Sequence, residues 1–314
     1  MVSAAEQRFG ATAWPWVFLV MSAFVVSTNH VLGRYVSGEI PPMGLAFWRV
    51  AVGAMVLLPF AWRDLLLYRR VILRHWKLFM VTAIAFMPLG NATVYLGYNF
   101  TTAINGGVIA TAQPALTVIF AWLILRHTIN GKQAFGIAVA AAGVLVILSR
   151  GNPLILGALS FGQGDLMLLV GTMSFAFYTV MLRRIPAVIG PMLILVVIQI
   201  FGMVTLAPFY VYETIAYLPV PLTGRSLMVI AWVGTAIAVV AVGLSNLAVL
   251  TLGPAKASIA NYLRALFTAA LAIILLGEAL ELFHLVAFAL VIVGVLLMSW
   301  GRTPVSRSGA NQGN

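Results

Sequence analysis

Glu6, Glu39, Asp64, Asp165, Glu213, Glu278 and Glu281 are all the acidic residues of this 314-residue chain, and their positions limit the chemistry it can run. Each falls in a loop, a tail or the end of an apolar stretch. No two carboxylates therefore meet inside an apolar interior to share acid and base roles. The absence of cysteine removes thiol nucleophiles, thiolate metal sites and disulfides. Neither an HExxH pattern nor a phosphate-cradling glycine loop ending in lysine and a hydroxyl residue occurs, so zinc hydrolysis and ATP-driven pumping lack their residues. No enzyme, cofactor or metal site is expected.

The chemistry that remains is recognition by isolated polar groups set in apolar surroundings. His30 is the one group within the first apolar stretch whose protonation could alternate, and both a coupling role and a plain hydrogen bond to a neighbouring helix suit it. Asn91, Tyr95, Tyr98 and Thr102 recur at i, i+4, i+7 and i+11, which predicts one polar face of a helix. Gly171, Ser174 and Tyr178 share a face further on, and Gln113 pairs with Thr117 beside Pro114. Small residues and single hydroxyls also serve as helix packing surfaces, which accounts best for Gly106, Gly171 and Thr117. Arg49 and Arg264 stand well inside apolar stretches; Arg49 suits an anchor that caps helix carbonyls more than a direct substrate contact, whereas Asn261, Arg264 and Thr268 share a face turned away from lipid. The expected binding residues are His30, Asn91, Tyr95, Tyr98, Gln113, Tyr178, Asn261 and Arg264.

These residues need elements to hold them, and composition names the elements. Hydrophobic residues make up 62% of the chain and charged ones 8%, against about 25% charged in a soluble domain, so a water-facing surface cannot be covered. An apolar content this high supplies about ten spans of ~20 residues. Charge-free windows place helices at Trp14 to Gly33, Gln133 to Ser149, Leu166 to Leu182, Gly190 to Tyr212 and Phe283 to Trp300, and Pro41 to Trp62, interrupted only by Arg49, is another. Residues 78 to 125 hold no charge and must be two spans, turning near Asn99 to Asn105; residues 226 to 277 are two more, divided at Gly253-Pro254. The fold class is an all-α integral membrane protein of ten transmembrane helices.

With the N-terminus in the cytoplasm, thirteen Lys and Arg lie on that side, against Arg34, Arg150 and Arg225 on the other. The positive-inside bias therefore places both termini in the cytoplasm, and the net charge of +11 reports membrane topology and not nucleic-acid binding. The first span is full length with no cleavage pattern after it, so it is expected to be retained. An odd-numbered repeat must be inverted, and ten helices divide into two fives. Gly143-Val144-Leu145 recurs as Gly294-Val295-Leu296, and Pro59-Phe60 as Pro208-Phe209, at equivalent helix positions. The expected organisation is a tail at 1–13, a first five-helix repeat at 14–150, a connector at 151–163, a second repeat at 164–301 and a tail at 302–314.

Over nearly its whole length the chain resembles the EamA-type drug/metabolite transporter superfamily. The resemblance rests on Pro42, Phe47 and Arg49 in the second helix; on Tyr95-Leu96-Gly97-Tyr98, Ala103, Gly106, Pro114, Gln133, Gly136 and Gly143-Val144 in the third to fifth; on Gly164-Asp165-Leu166 and Ser174 to Tyr178 with Arg183 in the sixth; and on Glu278 after the ninth. It departs from the family pattern at His127, where a glutamate is frequent, at Ala265, the counterpart of Pro114, and at Ser27-Thr28-Asn29-His30 in the first helix. What the resemblance implies is export of small metabolites from a bacterial cytoplasm across the inner membrane, amino acids and related amphipathic compounds first. The two intramembrane arginines keep a carrier of phosphorylated or carboxylate metabolites open, and a channel is the reading from another class. The implied partners are a small-molecule substrate and the lipid bilayer, with no cofactor.

Overall fold

The computed structural model describes residues 14–152, 154–155, 161–252 and 259–300. Ten helical segments follow one another there. They are α1 (Trp14–Tyr35), α2 (Pro42–Arg74), α3 (Trp76–Gly97), α4 (Ala103–Leu125, in two parts), α5 (Gly131–Leu148), α6 (Gln163–Arg184), α7 (Pro191–Ala216), α8 (Gly224–Leu252), α9 (Ile259–Leu276) and α10 (Leu282–Trp300). Seven are long and apolar enough to cross a bilayer, α4 makes an eighth as a bent pair, and Ala260–Leu276 and Leu282–Met298 are shorter apolar helices. No strand occurs among the described residues, because lipid offers backbone groups no partners and a helix satisfies them within itself. The expected positions hold, with α2 extended to Arg74. The proposed tails, six of the thirteen connector residues and the expected division at Gly253-Pro254 lie outside the described residues.

Several helices are interrupted, each at an identifiable residue. α4 bends by 43° between Ala110 and Gln113, where the ring of Pro114 leaves no room for the carbonyl of residue 110 and supplies no N–H to it. In α3, Met87–Ala92 forms a wider π-helical turn containing Pro88, and the Asn91 and Thr93 side chains donate to the carbonyls of Phe86 and Pro88, at 2.7 and 3.0 Å. Val233–Ala241 in α8 and Ala272–Leu276 in α9 are π-helical as well. A π turn shifts the phase of everything beyond it. The expected common face of Asn91, Tyr95, Tyr98 and Thr102 is not formed: Asn91 lies within the π turn, α3 ends at Gly97, and Thr102 caps the N-terminus of α4 by accepting from Asn105 N–H.

Packing follows a pattern. α5 lies on α10 and α2 on α7; α1 contacts α8 and α9, α6 contacts α3 and α4, and α8 and α3 touch α2 and α7 respectively. Advancing each helix number by five exchanges these pairs among themselves. The α5–α10 crossing is close because its contact residues are glycines. A Cβ on Gly294 would stand 2.5 Å from the Gly136 carbonyl and from Ala140 N, and one on Gly136 would stand 2.5 Å from the Gly294 carbonyl. Small residues of this kind let helix backbones approach where apolar burial gives no preference over lipid. Outward, Phe60, Leu123, Val204 and Ile274 are exposed on the helix flanks, as a hydrocarbon-facing surface requires.

Candidate transport cavity

The hydrogen-bonded carboxylates cluster at one end of the bundle, with a cavity beneath it. At that end the odd-numbered helices finish and the even-numbered ones begin, so contacts there join many elements. Glu278, just past α9, accepts from the N–H groups of Ala103 and Ile104 at the start of α4, at 2.8 and 3.0 Å. Gly277, at φ +68°, makes the left-handed turn that brings it there. Arg34 stands 4.0 Å from Glu278 and donates to the Tyr98 carbonyl at 2.7 Å. Glu213, late in α7, accepts from Met43 and Gly44 N–H at the start of α2, at 3.1 and 2.8 Å. Carboxylates at helix N-termini satisfy otherwise orphaned donors and meet the positive end of the helix dipole.

A second layer is buried. Asp165 at the start of α6 accepts from Thr101 and, at 2.9 Å, from the Asn105 amide. The Asn105 carbonyl oxygen meets His284 Nε2 at 2.9 Å, and His284 Nδ1 accepts from Glu281 N–H. Because Nδ1 is an acceptor, the ring proton belongs on Nε2, which donates to Asn105. These contacts join the α3–α4 turn, α6 and α10, and with the two carboxylate caps they clamp this end of the bundle.

Beneath the clamp lies a cavity of about 270 Å³. It runs from Tyr98, Gly106 and Leu168 toward the opposite end, reaching Tyr178, Ser245 and Asn261. Seven of the eight expected binding residues line it: His30, Asn91, Tyr98, Gln113, Tyr178, Asn261 and Arg264. Tyr95 does not. It is 2% exposed and donates to Asn29 Oδ1 at 2.7 Å, so it positions a lining residue while staying behind the wall. His30 Nδ1 is hydrogen-bonded to the Tyr98 hydroxyl, which matches its reading as an interhelical partner. That hydroxyl lies where a Cβ on Gly106 would be, so glycine is required for Tyr98 to reach His30.

Arg49, whose depth in its span suits an anchor, also lines the cavity. It is 8% exposed, faces the cavity, and its Nη1 has no hydrogen-bond partner. Arg264 donates to Asn261 at 3.3 Å, while its Nε is buried and unpartnered. Thr268, on the same face of α9 as the spacing predicted, also carries an unpaired hydroxyl. Among the described residues the lining contains no carboxylate. The signal for Arg49 was available, since an arginine eight residues into a span is costly in lipid; what was missing was the helix rotation that aims it inward. Phe86, Phe175 and Tyr178 supply an aromatic wall, with Phe86 and Tyr178 stacked at 4.3 Å between ring centroids.

A polytopic all-helical protein with an internal, basic, partly aromatic cavity has the architecture of a membrane transporter. Comparison with known proteins makes this specific: the model of the EamA-like transporter family matches residues 13–149 and again residues 162–300, and the chain belongs to that family. Among similar proteins is the "Uncharacterized transporter YyaM" of Bacillus subtilis (strain 168), 25% identical over 296 residues covering 90% of this chain and 93% of that one. An "Uncharacterized transporter" of Archaeoglobus fulgidus is 23% identical across 90% of this chain and 96% of its own. The mouse "Solute carrier family 35 member G1" is 27% identical over 151 residues, 47% of this chain and 39% of that protein. One solved crystal structure superposes with a TM-score of 0.54 at 17% identity, covering 90% of this chain and 95% of that chain; this likeness concerns the fold alone.

Proposed function

We propose that the protein is a secondary transporter that moves small amphipathic metabolites by alternating access, its two family-matching halves acting as inverted five-helix repeats about the central cavity. The observation that carries this reading is the cavity itself: a polar-lined space between helices of both halves, clamped at one end by carboxylate caps on α2 and α4. Inverted-repeat carriers keep the substrate near the middle and close one end at a time. The charge bias of the loops supports cytoplasmic termini and, with them, an external clamped end. Export from a bacterial cytoplasm across the inner membrane, with amino acids and related compounds as first candidates, follows from the family resemblance. The protein's work is transport and not catalysis.

A second reading concerns charge. Among the described residues, Arg49 and Arg264 present unpartnered buried nitrogens to a cavity without carboxylates, which favours substrates carrying a carboxylate or phosphate. Both readings share one test. Reconstituted protein should give saturable flux, accelerated by unlabelled substrate on the far side, in a screen of amino acids, organic anions, phosphorylated metabolites and organic cations. Ohmic, non-saturating conductance would make the protein a channel and overturn the carrier reading.

A further inference from the structure

α2 and α7 carry a longer internal match than their shared Pro-Phe pair. Stepping 149 positions along the chain, Pro42-Met43 becomes Pro191-Met192, Gly53 becomes Gly202, Leu57 becomes Leu206, Pro59-Phe60 becomes Pro208-Phe209, and Asp64 becomes Glu213. Each helix thus begins with proline at its first position, which needs no N–H there, and leaves the next two N–H groups to be satisfied from outside. At the start of α2 that need is met by Glu213, which accepts from both Met43 and Gly44. At the start of α7, among the described residues, no side chain accepts from the N–H of Met192 or Leu193.

The missing carboxylate stands ready. α2 and α7 are packed antiparallel, with Glu213 of one beside Met43 of the other. That register puts Asp64 level with Met192 at the far end of the pair. Ala61 and Leu65, on either side of Asp64, belong to the same apolar cluster as Leu193 and Ile194. Asp64 itself is exposed and has no hydrogen bond or ion pair among the described residues. The other clamp has no such counterpart: Glu278 maps onto His127, and Ala103 maps onto Pro254, which has no N–H to give. Residue 254 lies outside the described residues.

We infer that Asp64 is the gate carboxylate of the opposite end, accepting from the N–H groups of Met192 and Leu193 in the alternate conformation, as Glu213 holds Met43 and Gly44 here. The inference rests on the alternating-access reading. When two inverted repeats exchange conformations, a contact from the second half to the first at one end is replaced by its counterpart at the other. The α2–α7 pair then works as a two-position latch, released at one end when it closes at the other. Asp64 is a positioning residue in this cycle; it touches no substrate.

The absence of native cysteine makes the test direct. A single cysteine at Thr179, which lines the cavity, is modified by a membrane-impermeant thiol reagent applied separately to each face of sealed vesicles. Carboxylates at helix N-termini shift such equilibria about fivefold. Asp64→Asn should lower the ratio of clamped-face to opposite-face modification about fivefold, Glu213→Gln should raise it by a similar factor, and the two together should return it toward the parent value. Asp64→Glu should keep the parent ratio. Because Asp64 is exposed and unbonded, the variant should insert and melt like the parent. An unchanged ratio in Asp64→Asn, in a parent that labels from both faces, overturns the role of Asp64 and leaves alternating access standing. A reporter that labels from one face only, in the parent and in Glu213→Gln, overturns both.

Discussion

Replacing Arg264 by glutamine removes one guanidinium from the cavity and keeps a polar side chain of similar reach. In the protein Arg264 makes one long hydrogen bond, 3.3 Å to Asn261, and its Nε is buried without a partner. The guanidinium therefore gives little to the resting fold, and a buried charge with unmet donors is costly to it. Arg264→Gln should leave the melting temperature unchanged or raised. A bound carboxylate supplies what Nε lacks, and a hydrogen bond to a charged group contributes about 1.5–3 kcal/mol. At 1.4 kcal/mol per decade, its loss weakens binding by roughly tenfold to a hundredfold. The assay is concentration-dependent uptake into proteoliposomes for a carboxylate-bearing substrate found in the screen, beside its neutral amide. The half-saturating concentration should rise by that factor for the carboxylate and by less than twofold for the amide. Equal weakening for both compounds, or a large drop in melting temperature, would assign Arg264 to structure and refute the reasoning.

Gly294→Leu should prevent the α5–α10 crossing, since even a Cβ there stands 2.5 Å from the Gly136 carbonyl; overpacking costs about 1–3 kcal/mol or more, read as a lowered melting temperature in detergent. Glu278→Gln keeps the shape but removes the charge that caps Ala103 and Ile104, and should cost about 1 kcal/mol of stability in the clamped form, seen as faster labelling of a cavity cysteine from that face. Gly106→Ala should push aside the Tyr98 hydroxyl and break its bond to His30, weakening substrate binding while Gly107→Ala, whose nearest contacts are at 3.1 Å, has a smaller effect. A reporter fused after Arg307 should lie in the cytoplasm and one inserted near Glu281 outside; finding both on one side would remove the inverted topology.

The helices were legible in the sequence because a membrane span is a one-dimensional property. Every backbone group must be satisfied locally in lipid, so a charge-free run of sufficient length is already a helix, and α5, α6, α7 and α10 fall within a few residues of their expected limits. Polar residues in such runs must face protein or water, which is why Gln113, Tyr178, Asn261 and Arg264 could be assigned to the interior from spacing alone. Tertiary structure decided which interior surface each one faces. The π turn at Met87–Ala92 and the early end of α3 put Tyr95 behind Asn29 and left Tyr98 in the cavity, although both belong to one helical pattern. The depth of Arg49 in its span favours an anchor over a substrate contact until α2 is rotated against its neighbours. What the carboxylates at span ends hold is not legible in the sequence, because a helix N-terminus 170 positions away in the chain is invisible to local pattern. Only packing brings Glu213 to α2 and Glu278 to α4, and so selects the end that is closed.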